Sequence, residues 1–378
     1  MGAPPDWRLL RGEFPALERW TYLNTATFGQ VPRRAVEAVA RHFARRDELA
    51  CSDFLSWFDD ADRIRGAIAR LIHSEPADIA FIPNAATALG LLLGGLDWKP
   101  GERIVSLENE FPNSIYHPAL LGGRGIEFIE ASWDGFYDAV TSNTRLVVLS
   151  EVNYITGFRP PLAAIASFLR ERGVLLFVDG TQSLGALQFD AGALQPDMYA
   201  VHGYKWLLAP NGAGFMYVRP SLRARLAPNV IGWRSHRDWR RVDSLHHGAP
   251  EFKSEAEKYE GGMLTFPVVY ALGAAVEMIL ETGPAAIEQR VLELAGATRA
   301  CLRRLGARLL SDEAPHYDSP IVAARIEGRP ASALAQALRD RGILVSARHD
   351  YLRVSTHFYN NEEDIARLET ELQRLLSG

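Results

Sequence analysis

Lysine is scarce in this chain of 378 residues, and one lysine lies between two aromatic side chains. Four of the 41 basic residues are lysines, and Lys205 stands between Tyr204 and Trp206. A lysine removed from water has a lowered pKa and can act as a nucleophile or base near neutral pH, which an arginine cannot do. This setting makes Lys205 the leading candidate for a catalytic residue.

Other candidates follow short apolar runs that are typical of buried strands. Asp179 comes after the run Val174–Val178, so its carboxylate needs a cationic or hydrogen-bonding partner. A helix N-cap, an ion pair and a cofactor contact all remain open for this residue. Phe111 follows the run Arg103–Leu107 and is either a core residue or a platform for a flat ring.

A turn of small residues follows the apolar run Ile79–Ile82 and contains Ala85, Ala86 and Thr87. The backbone N–H groups and positive dipole at the start of a helix suit a phosphate. An N-cap by Asn84 with small packing residues explains the same turn. Taken alone, the turn is therefore a weak indication of a phosphate site.

Seven apolar runs predict the strands that position these groups. Most of them are continuous, as in strands buried on both faces, and helix-compatible stretches separate several of them. The pattern indicates an α/β fold with a mostly parallel sheet, in which the last run is the expected antiparallel exception. Ligands bind beyond the carboxyl ends of such strands, where the candidates lie. The runs are Ile79–Ile82, Arg103–Leu107, Ile126–Ile129, Leu146–Ser150, Val174–Val178, Met198–Val201 and Gly214–Val218.

The pattern changes after about Phe266 and predicts a smaller α+β domain. Helices are expected over 268–281, 285–305, 331–341 and 362–376, with strands over 321–326 and near Leu344 and Leu352. We expect an N-terminal segment, 1–20, that packs on the small domain, a large cofactor-binding domain over 21–266 and a small C-terminal domain over 267–378.

The composition excludes several classes of protein. A net charge of −5 without a run of Lys or Arg argues against nucleic acid or an anionic membrane as the main partner. Cys51 and Cys301 cannot form a disulfide framework, and the N-terminus lacks the apolar stretch of a secretory signal. We therefore expect a cytoplasmic protein without a metal site that acts on a small molecule.

Together, these candidates match the needs of pyridoxal 5′-phosphate. This cofactor has a phosphate, a flat ring, a ring nitrogen that a carboxylate keeps protonated, and an aldehyde that forms a Schiff base with lysine. Asn153 and Thr156, in the loop after Leu146–Ser150, add hydrogen-bonding groups. The combination predicts a pyridoxal-phosphate enzyme.

Three motifs carry a resemblance to a known family: Val178–Ser183, Gly203–Leu207, and Arg353–Ser355 leading into Phe358–Asn360. Over nearly its whole length the chain resembles the class V aminotransferase family of fold-type I pyridoxal-phosphate enzymes. That family includes cysteine desulfurases, kynureninase and isopenicillin-epimerase-like proteins. The resemblance implies a large domain with a mostly parallel seven-stranded sheet, a smaller C-terminal α+β domain, and a homodimer with shared active sites.

The resemblance also implies roles for single residues. Lys205 matches the lysine that forms the Schiff base, Asp179 the partner of the ring nitrogen, and Gln182 the contact of the phenolic oxygen. Phe111 matches the residue stacked on the ring. The matched phosphate contacts are Ala85, Ala86, Thr87, His202 and Tyr204, with Gly262 and Met263 reaching the phosphate of a neighbouring subunit.

For the substrate, Arg353 matches the arginine that grips the carboxylate, and Asn24 matches a second carboxylate contact. Two departures affect the phosphate contacts, because Ala86 and Met263 stand where many relatives have threonine.

The reaction is left open by the sequence. A class V aminotransferase acting at Cα of a small amino acid is the leading interpretation. A β-eliminating carbon–sulfur lyase, an epimerase or a kynureninase-like hydrolase are alternatives, and a non-catalytic ligand-binding protein is a less favoured one. Desulfurases of this family carry a cysteine on a loop shortly before the carboxylate arginine, and residues 342–352 contain none. The sequence therefore predicts that the protein is not a Cys-persulfide desulfurase.

Overall fold

A seven-stranded sheet covered by helices forms the large part of the computed structural model, which describes residues 4–377. Most of its strands have almost wholly buried side chains because helices cover both faces, whereas the edge strand Glu127–Ala131 is partly exposed. A four-stranded sheet forms the small part. The strands are β1 (Thr21–Tyr22), β2 (Ile79–Ile82), β3 (Arg103–Leu107), β4 (Glu127–Ala131), β5 (Thr144–Ser150), β6 (Leu175–Asp179), β7 (Met198–His202), β8 (Gly214–Val218), β9 (Arg308–Leu309), β10 (Ile321–Arg325), β11 (Ile343–Leu344), β12 (Ser346–Arg348) and β13 (Tyr351–Ser355).

The helices connect the strands and flank the two sheets. They are α1 (Trp7–Arg11), α2 (Arg33–Leu49), α3 (Phe54–Leu71), α4 (Ala85–Gly95), α5 (Tyr116–Leu120), α6 (Phe136–Ala139), α7 (Leu162–Glu171), α8 (Ala191–Leu194), α9 (Pro220–Arg223), α10 (Phe266–Thr282), α11 (Pro284–Arg304), α12 (Ala331–Arg339) and α13 (Glu362–Ser377). No single helix in residues 4–377 is long and apolar enough to cross a membrane, although α10 and α11 pass that test as a pair bent by 84°.

The strand order in the large sheet is β2-β8-β7-β6-β5-β3-β4. All neighbouring pairs are parallel except those of β8, which is antiparallel to both β2 and β7. The expected mostly parallel fold and its antiparallel exception are confirmed. The carboxyl ends of β3, β5, β6 and β7 meet at one edge, and the loops that follow them carry the candidate site.

Helix α10 packs against α2 and α3, and α3 contacts strand β2 of the large sheet. This contact argues for a domain boundary after α10 rather than at residue 266, and the division into domains stays a prediction. The small part contains the antiparallel sheet β12-β13-β10-β9, covered by α11, α12 and α13.

The N-terminal segment contacts the small part through residues near α13. Arg11 pairs with Asp364 at 2.7 Å and donates to the Tyr359 carbonyl oxygen at 2.7 Å. The ring of Phe14 lies 4.8 Å from that of Tyr359. The packing expected of residues 1–20 on a small domain stays a prediction, and residues 1–3 lie outside the described residues, as does Gly378 at the end of the predicted small domain.

Candidate active site

Three of the predicted residues meet beyond the strand ends of the large sheet. Lys205 lies in the turn after β7, and its Nζ is 5.5 Å from the centre of the Phe111 ring and 5.2 Å from that of Tyr204. Asp179 is the last residue of β6, and its Oδ1 accepts the Thr181 backbone N–H at 2.8 Å. The structure therefore brings the predicted lysine, carboxylate and aromatic platform to one place.

Lys205 is 6% exposed. Burial lowers the pKa of its ammonium to about 7, and the nearby cations of Arg353 and Arg348 act in the same direction. The carboxylate of Asp179 opposes this shift but does not cancel it. A substantial fraction of the Lys205 amine is therefore neutral and nucleophilic near pH 7.

Asp179 is buried beside this lysine. Burial raises the pKa of its carboxyl, while hydrogen bonds from Thr181 and the charge of Lys205 oppose the rise. A buried carboxylate is stabilised by a cationic partner. The protonated ring nitrogen of pyridoxal phosphate is a partner of that kind.

Two buried glutamates that the sequence analysis did not select flank this group. Glu110 accepts from the backbone N–H and hydroxyl of Ser150, and Glu151 accepts from the Ser183 hydroxyl at 2.5 Å. Burial raises the pKa of each carboxyl to about 7. Both lie just after strands β3 and β5, so the strand-end rule that selected Asp179 could have found them as well.

Residues Tyr22–Gly29, here called the clasp segment, run between the small part and the Lys205 turn. The Gly29 N–H donates to the Tyr204 carbonyl oxygen at 2.9 Å. A Cβ at Gly29 would lie 1.8 Å from the carbonyl oxygen of Lys205, so only glycine allows this approach. The clasp segment therefore supports the backbone of the candidate nucleophile directly.

Gln182 joins the clasp segment to the large sheet. Its Nε2 donates to the Ala26 carbonyl oxygen at 3.0 Å, and its Oε1 accepts from the Trp206 indole at 3.0 Å. One amide N–H of Gln182 remains for the predicted contact with the cofactor oxygen. That contact stays a prediction.

Arg353 extends from β13 of the small part and is 1% exposed. It donates to the Ser346 hydroxyl at 3.0 Å, the Thr27 hydroxyl at 2.7 Å and the Tyr154 carbonyl oxygen. One N–H on each terminal nitrogen remains, which is the fork that holds a carboxylate. The predicted second contact, Asn24, accepts from the Thr27 hydroxyl at 2.8 Å and lies next to this fork.

The predicted phosphate turn begins α4. Asn84 Oδ1 accepts the Thr87 backbone N–H at 3.0 Å and the Thr87 hydroxyl at 3.2 Å. Asn84 is therefore the N-cap, and both donors of Thr87 bind Asn84. Ala85 and Ala86 then offer the backbone N–H groups at this helix start. Thr87 therefore stabilises the turn, whereas the two alanines are free to bind an anion through the backbone.

His202 and Tyr204 lie on the same side of the sheet, with ring centres 4.3 Å apart. Burial lowers the pKa of His202 to about 4, so this ring is neutral. Its Nε2 accepts the Gly212 N–H at 3.3 Å, which leaves Nδ1 as the N–H donor. A neutral donor of this kind fits the phosphate contact that the sequence predicts.

Asn153 organises its own loop. Its Oδ1 accepts the backbone N–H groups of Ile155 and Thr156 and the Thr156 hydroxyl at 3.0–3.1 Å, and its Nδ2 donates to the Asn109 carbonyl oxygen at 2.9 Å. Asn153 and Thr156 also line a cavity of about 430 Å³ whose lining does not include Lys205. Their visible role is loop geometry, and their cofactor contact stays a prediction.

Gly262 and Met263 lie on a loop held by buried ion pairs. Glu260 pairs with Arg65 at 2.7 Å and with Arg234 at 2.8 Å, and Arg234 donates to the Gly262 carbonyl oxygen at 3.1 Å. Met263 is 58% exposed. Among the described residues, the hydrogen bonds of this loop do not reach Lys205, so a role across a subunit interface stays a prediction.

The residues fit pyridoxal 5′-phosphate on several independent observations. Lys205 is buried and partly neutral, Asp179 is a buried carboxylate within the influence of the Lys205 charge, and the Phe111 ring lies 5.5 Å from the Lys205 nitrogen. The α4 N-terminus offers backbone donors for a phosphate. These are the four groups that this cofactor requires.

Comparisons with known proteins give one consistent family. The family model described as Aminotransferase class-V matches residues 21–368. An isopenicillin N epimerase of Streptomyces clavuligerus is 29% identical, with 99% of each chain covered, and a probable cysteine desulfurase of Pseudomonas aeruginosa is 26% identical, with 100% of this chain and 99% of the relative covered.

Among solved structures, the protein C-DES with glycine covalently linked to its pyridoxal-phosphate cofactor superimposes with a TM-score of 0.87 at 25% identity, over 97% of this chain and 99% of that one. A second structure of that protein is described as a complex of the cystine C–S lyase with its reaction product, cysteine persulfide.

The exclusion of desulfurase chemistry was wrong. Probable cysteine desulfurases match this chain over its whole length, and a close structural match forms cysteine persulfide as a reaction product. The absence of a cysteine from residues 342–352 concerns only one possible sulfur acceptor. It therefore does not separate this chain from enzymes that release sulfur from an amino acid.

Proposed function

Because the chain belongs to the class-V aminotransferase family, we propose that it transfers a proton at the Cα atom of a small α-amino acid, with Lys205 as the base. Its cofactor is pyridoxal 5′-phosphate, as the family and the cofactor-bound structural match indicate. The observation that carries the proposal is the buried Lys205 amine, which lies against the rings of Phe111 and Tyr204, has a pKa of about 7 and is influenced by the charges of Asp179 and Arg353.

Each residue contributes a separate function to this proposal. Arg353 binds the α-carboxylate through its free fork and fixes the orientation of the Cα–H bond. Lys205 accepts the proton from Cα and returns it. Asp179 keeps a proton on the ring nitrogen, and when bound the cofactor supplies the electron-withdrawing ring that stabilises the negative charge left at Cα.

Amino transfer is the leading reaction for this site, because the family model that matches the chain is the class-V aminotransferase model. Cleavage of a β carbon–sulfur bond is the second candidate, because the match to the cystine C–S lyase C-DES extends over nearly the whole chain. Both reactions begin with the same proton transfer by Lys205. Their products distinguish them: an amino-transfer enzyme needs a keto-acid acceptor, and a lyase releases pyruvate without one.

The first test compares the wild type with Lys205→Ala after addition of pyridoxal phosphate. We expect a visible absorption band in the wild type that borohydride fixes to Lys205, and no such band in the variant. Lys258→Met is the matched control, because Lys258 is also buried but donates its Nζ to the Arg223 carbonyl oxygen at 2.7 Å. A band that disappears in the control, or persists in Lys205→Ala, contradicts the proposal.

We also propose a homodimer with shared active sites. Its support is the exposed apolar surface around the loop of Met263, where Val230 and Ile231 are 48% and 55% exposed. Surface of this kind is typical of a protein interface. Sedimentation equilibrium of the active protein tests it, and a fully active monomer would contradict it.

A further inference from the structure

Two arginines share one hydroxyl at the mouth of the site. The Thr27 hydroxyl accepts from Arg353 Nη2 at 2.7 Å and from Arg348 Nη2 at 3.2 Å, while it donates to Asn24 Oδ1 at 2.8 Å. A hydroxyl has one donor and two acceptor positions, so this one is fully used. The two guanidinium groups therefore lie side by side on a neutral group.

The β12–β13 hairpin explains why these two side chains meet. Ser346 is paired with Arg353 across the hairpin, and Arg348 is paired with Tyr351. Side chains two residues apart in a strand lie on the same face, so Arg348 and Arg353 are diagonal neighbours on one face of the sheet. The turn at His349–Asp350 fixes this register.

Neither arginine has an anionic partner in the described part of the chain. No carboxylate of residues 4–377 lies within 4.0 Å of the Arg348 or Arg353 guanidinium groups, whereas most other arginines in contact with the small sheet are paired. Burial and the neighbouring charge of Arg348 lower the pKa of Arg353 to about 9. Two adjacent cations without an anion are unfavourable until a ligand brings negative charge.

The α-carboxylate of an amino acid needs only one of the two arginines. Arg353 still has one N–H on each terminal nitrogen, which is sufficient for bidentate binding of the α-carboxylate. Arg348 donates only to its neighbouring Ala347 carbonyl oxygen and to Thr27, so three of its five N–H groups remain. It is half-buried, whereas Arg353 is fully buried, so Arg348 lies nearer to solvent.

We propose that Arg348 binds a second carboxylate, on the substrate side chain, so that the enzyme prefers dicarboxylic amino acids to neutral ones. This class includes aspartate and glutamate, and also cystine, whose second carboxylate lies at its far end. The kinetic test of this inference rests on the proposed function, because it needs turnover. Binding of a second carboxylate at Arg348 can be measured without turnover.

The kinetic test compares the wild type with Arg348→Gln and Arg348→Lys. The ratio of kcat/KM for a dicarboxylic amino acid to that for alanine is expected to fall about 10- to 100-fold in Arg348→Gln, as for loss of a charge-assisted hydrogen bond. Lysine keeps the charge without the planar fork and is expected to restore part of the ratio. Arg325→Gln is the matched control, because Arg325 lies on β10 of the same sheet but stacks on Tyr351 and pairs with Asp350. Its ratio is expected to equal that of the wild type.

A binding measurement makes the inference independent of turnover. Succinate is expected to raise the melting temperature of the cofactor-free protein more than propionate does at equal ionic strength, and Arg348→Gln is expected to remove the difference. Equal losses for alanine and for the dicarboxylic substrate, or equal effects of the two acids on the wild type, would overturn the proposal. If no amino acid changes the cofactor spectrum but succinate still discriminates, the proposed function fails while the second carboxylate site stands.

Discussion

At the scale of single residues, burial of the Lys205 ammonium lowers the free energy of unfolding, because folding removes its charge from water. The pKa of Lys205 is lowered from 10.5 to about 7, so between these values the unfolded chain binds more protons than the folded one. The free energy of unfolding therefore rises with pH from about 7 to about 10.5 as far as this group is concerned. Lys205→Met removes the charge and is expected to stabilise the cofactor-free protein at pH 7, by an amount that shrinks as the pH rises.

Chemical denaturation at pH 7 and at pH 10 measures this difference, with the exposed Lys99→Met as the control. A Lys205→Met protein that is less stable than the wild type at pH 7 would contradict the argument.

Only some residues of the candidate site can be predicted from the sequence. Lys205 and Asp179 were predictable because their neighbours in sequence already indicate burial. Thr27 and Arg348 were not, because their importance depends on a contact between residues more than 300 positions apart.

At the scale of elements, the approach of the clasp segment to the Lys205 turn makes a prediction about glycine. Gly29→Ala places a Cβ against the carbonyl oxygen of Lys205, so one of the two backbones must move. We expect a lower melting temperature and at least about tenfold weaker binding of pyridoxal phosphate, since about 1.4 kcal/mol corresponds to a factor of ten. Isothermal titration of the apoprotein measures the affinity.

Gly66→Ala is the matched control, because Gly66 lies inside α3 with no atom within 4 Å of the added Cβ. Alanine there is expected to be neutral or to stabilise the helix by up to about 1 kcal/mol. Cofactor binding by Gly29→Ala at the wild-type level would show that the close approach is not needed.

The apolar runs predicted the strands of the large sheet within one or two residues, since strands buried on both faces are continuous in sequence. Helices α2 and α3 were not assigned. Their exposed faces are rich in charge, and the buried face of α2 contains only Ala35, Ala38 and His42, so no large aliphatic side chains mark it in the sequence. Their position follows from packing against α10, a contact that no local pattern indicates.

At the scale of the whole molecule, a buried ion cluster links α3, the first strand of the large sheet and the loop of Met263. The Glu260 carboxylate pairs with Arg65 and Arg234 and accepts the Phe81 N–H at 2.8 Å. Glu260→Gln leaves two buried cations with less compensation and is expected to lower the free energy of unfolding by about 3–5 kcal/mol. Urea denaturation measures the loss.

The exposed pair of Asp59 and Arg240, at 3.0 Å, is the control, and Asp59→Asn is expected to cost less than about 1 kcal/mol. Similar losses of unfolding free energy in the two variants would mean that the buried ion cluster stabilises the protein no more than an exposed ion pair does. Gly262 and Met263 could be matched to a family motif from sequence, but the buried support beneath them could not. It requires residues from three distant segments.

The contacts of the clasp segment also limit which parts of the protein can fold before its synthesis ends. Thr27 must meet Arg353, 326 positions later, and Tyr22 must accept from Asn360, 338 positions later. The large sheet can form while the ribosome still holds the last hundred residues, since its strands end at Val218. The hydrogen bonds of Arg353 cannot, because Arg353 and its partner Ser346 both lie in the final hairpin. A nascent chain can therefore complete the turn that contains Lys205 long before it completes the contact between Arg353 and Thr27.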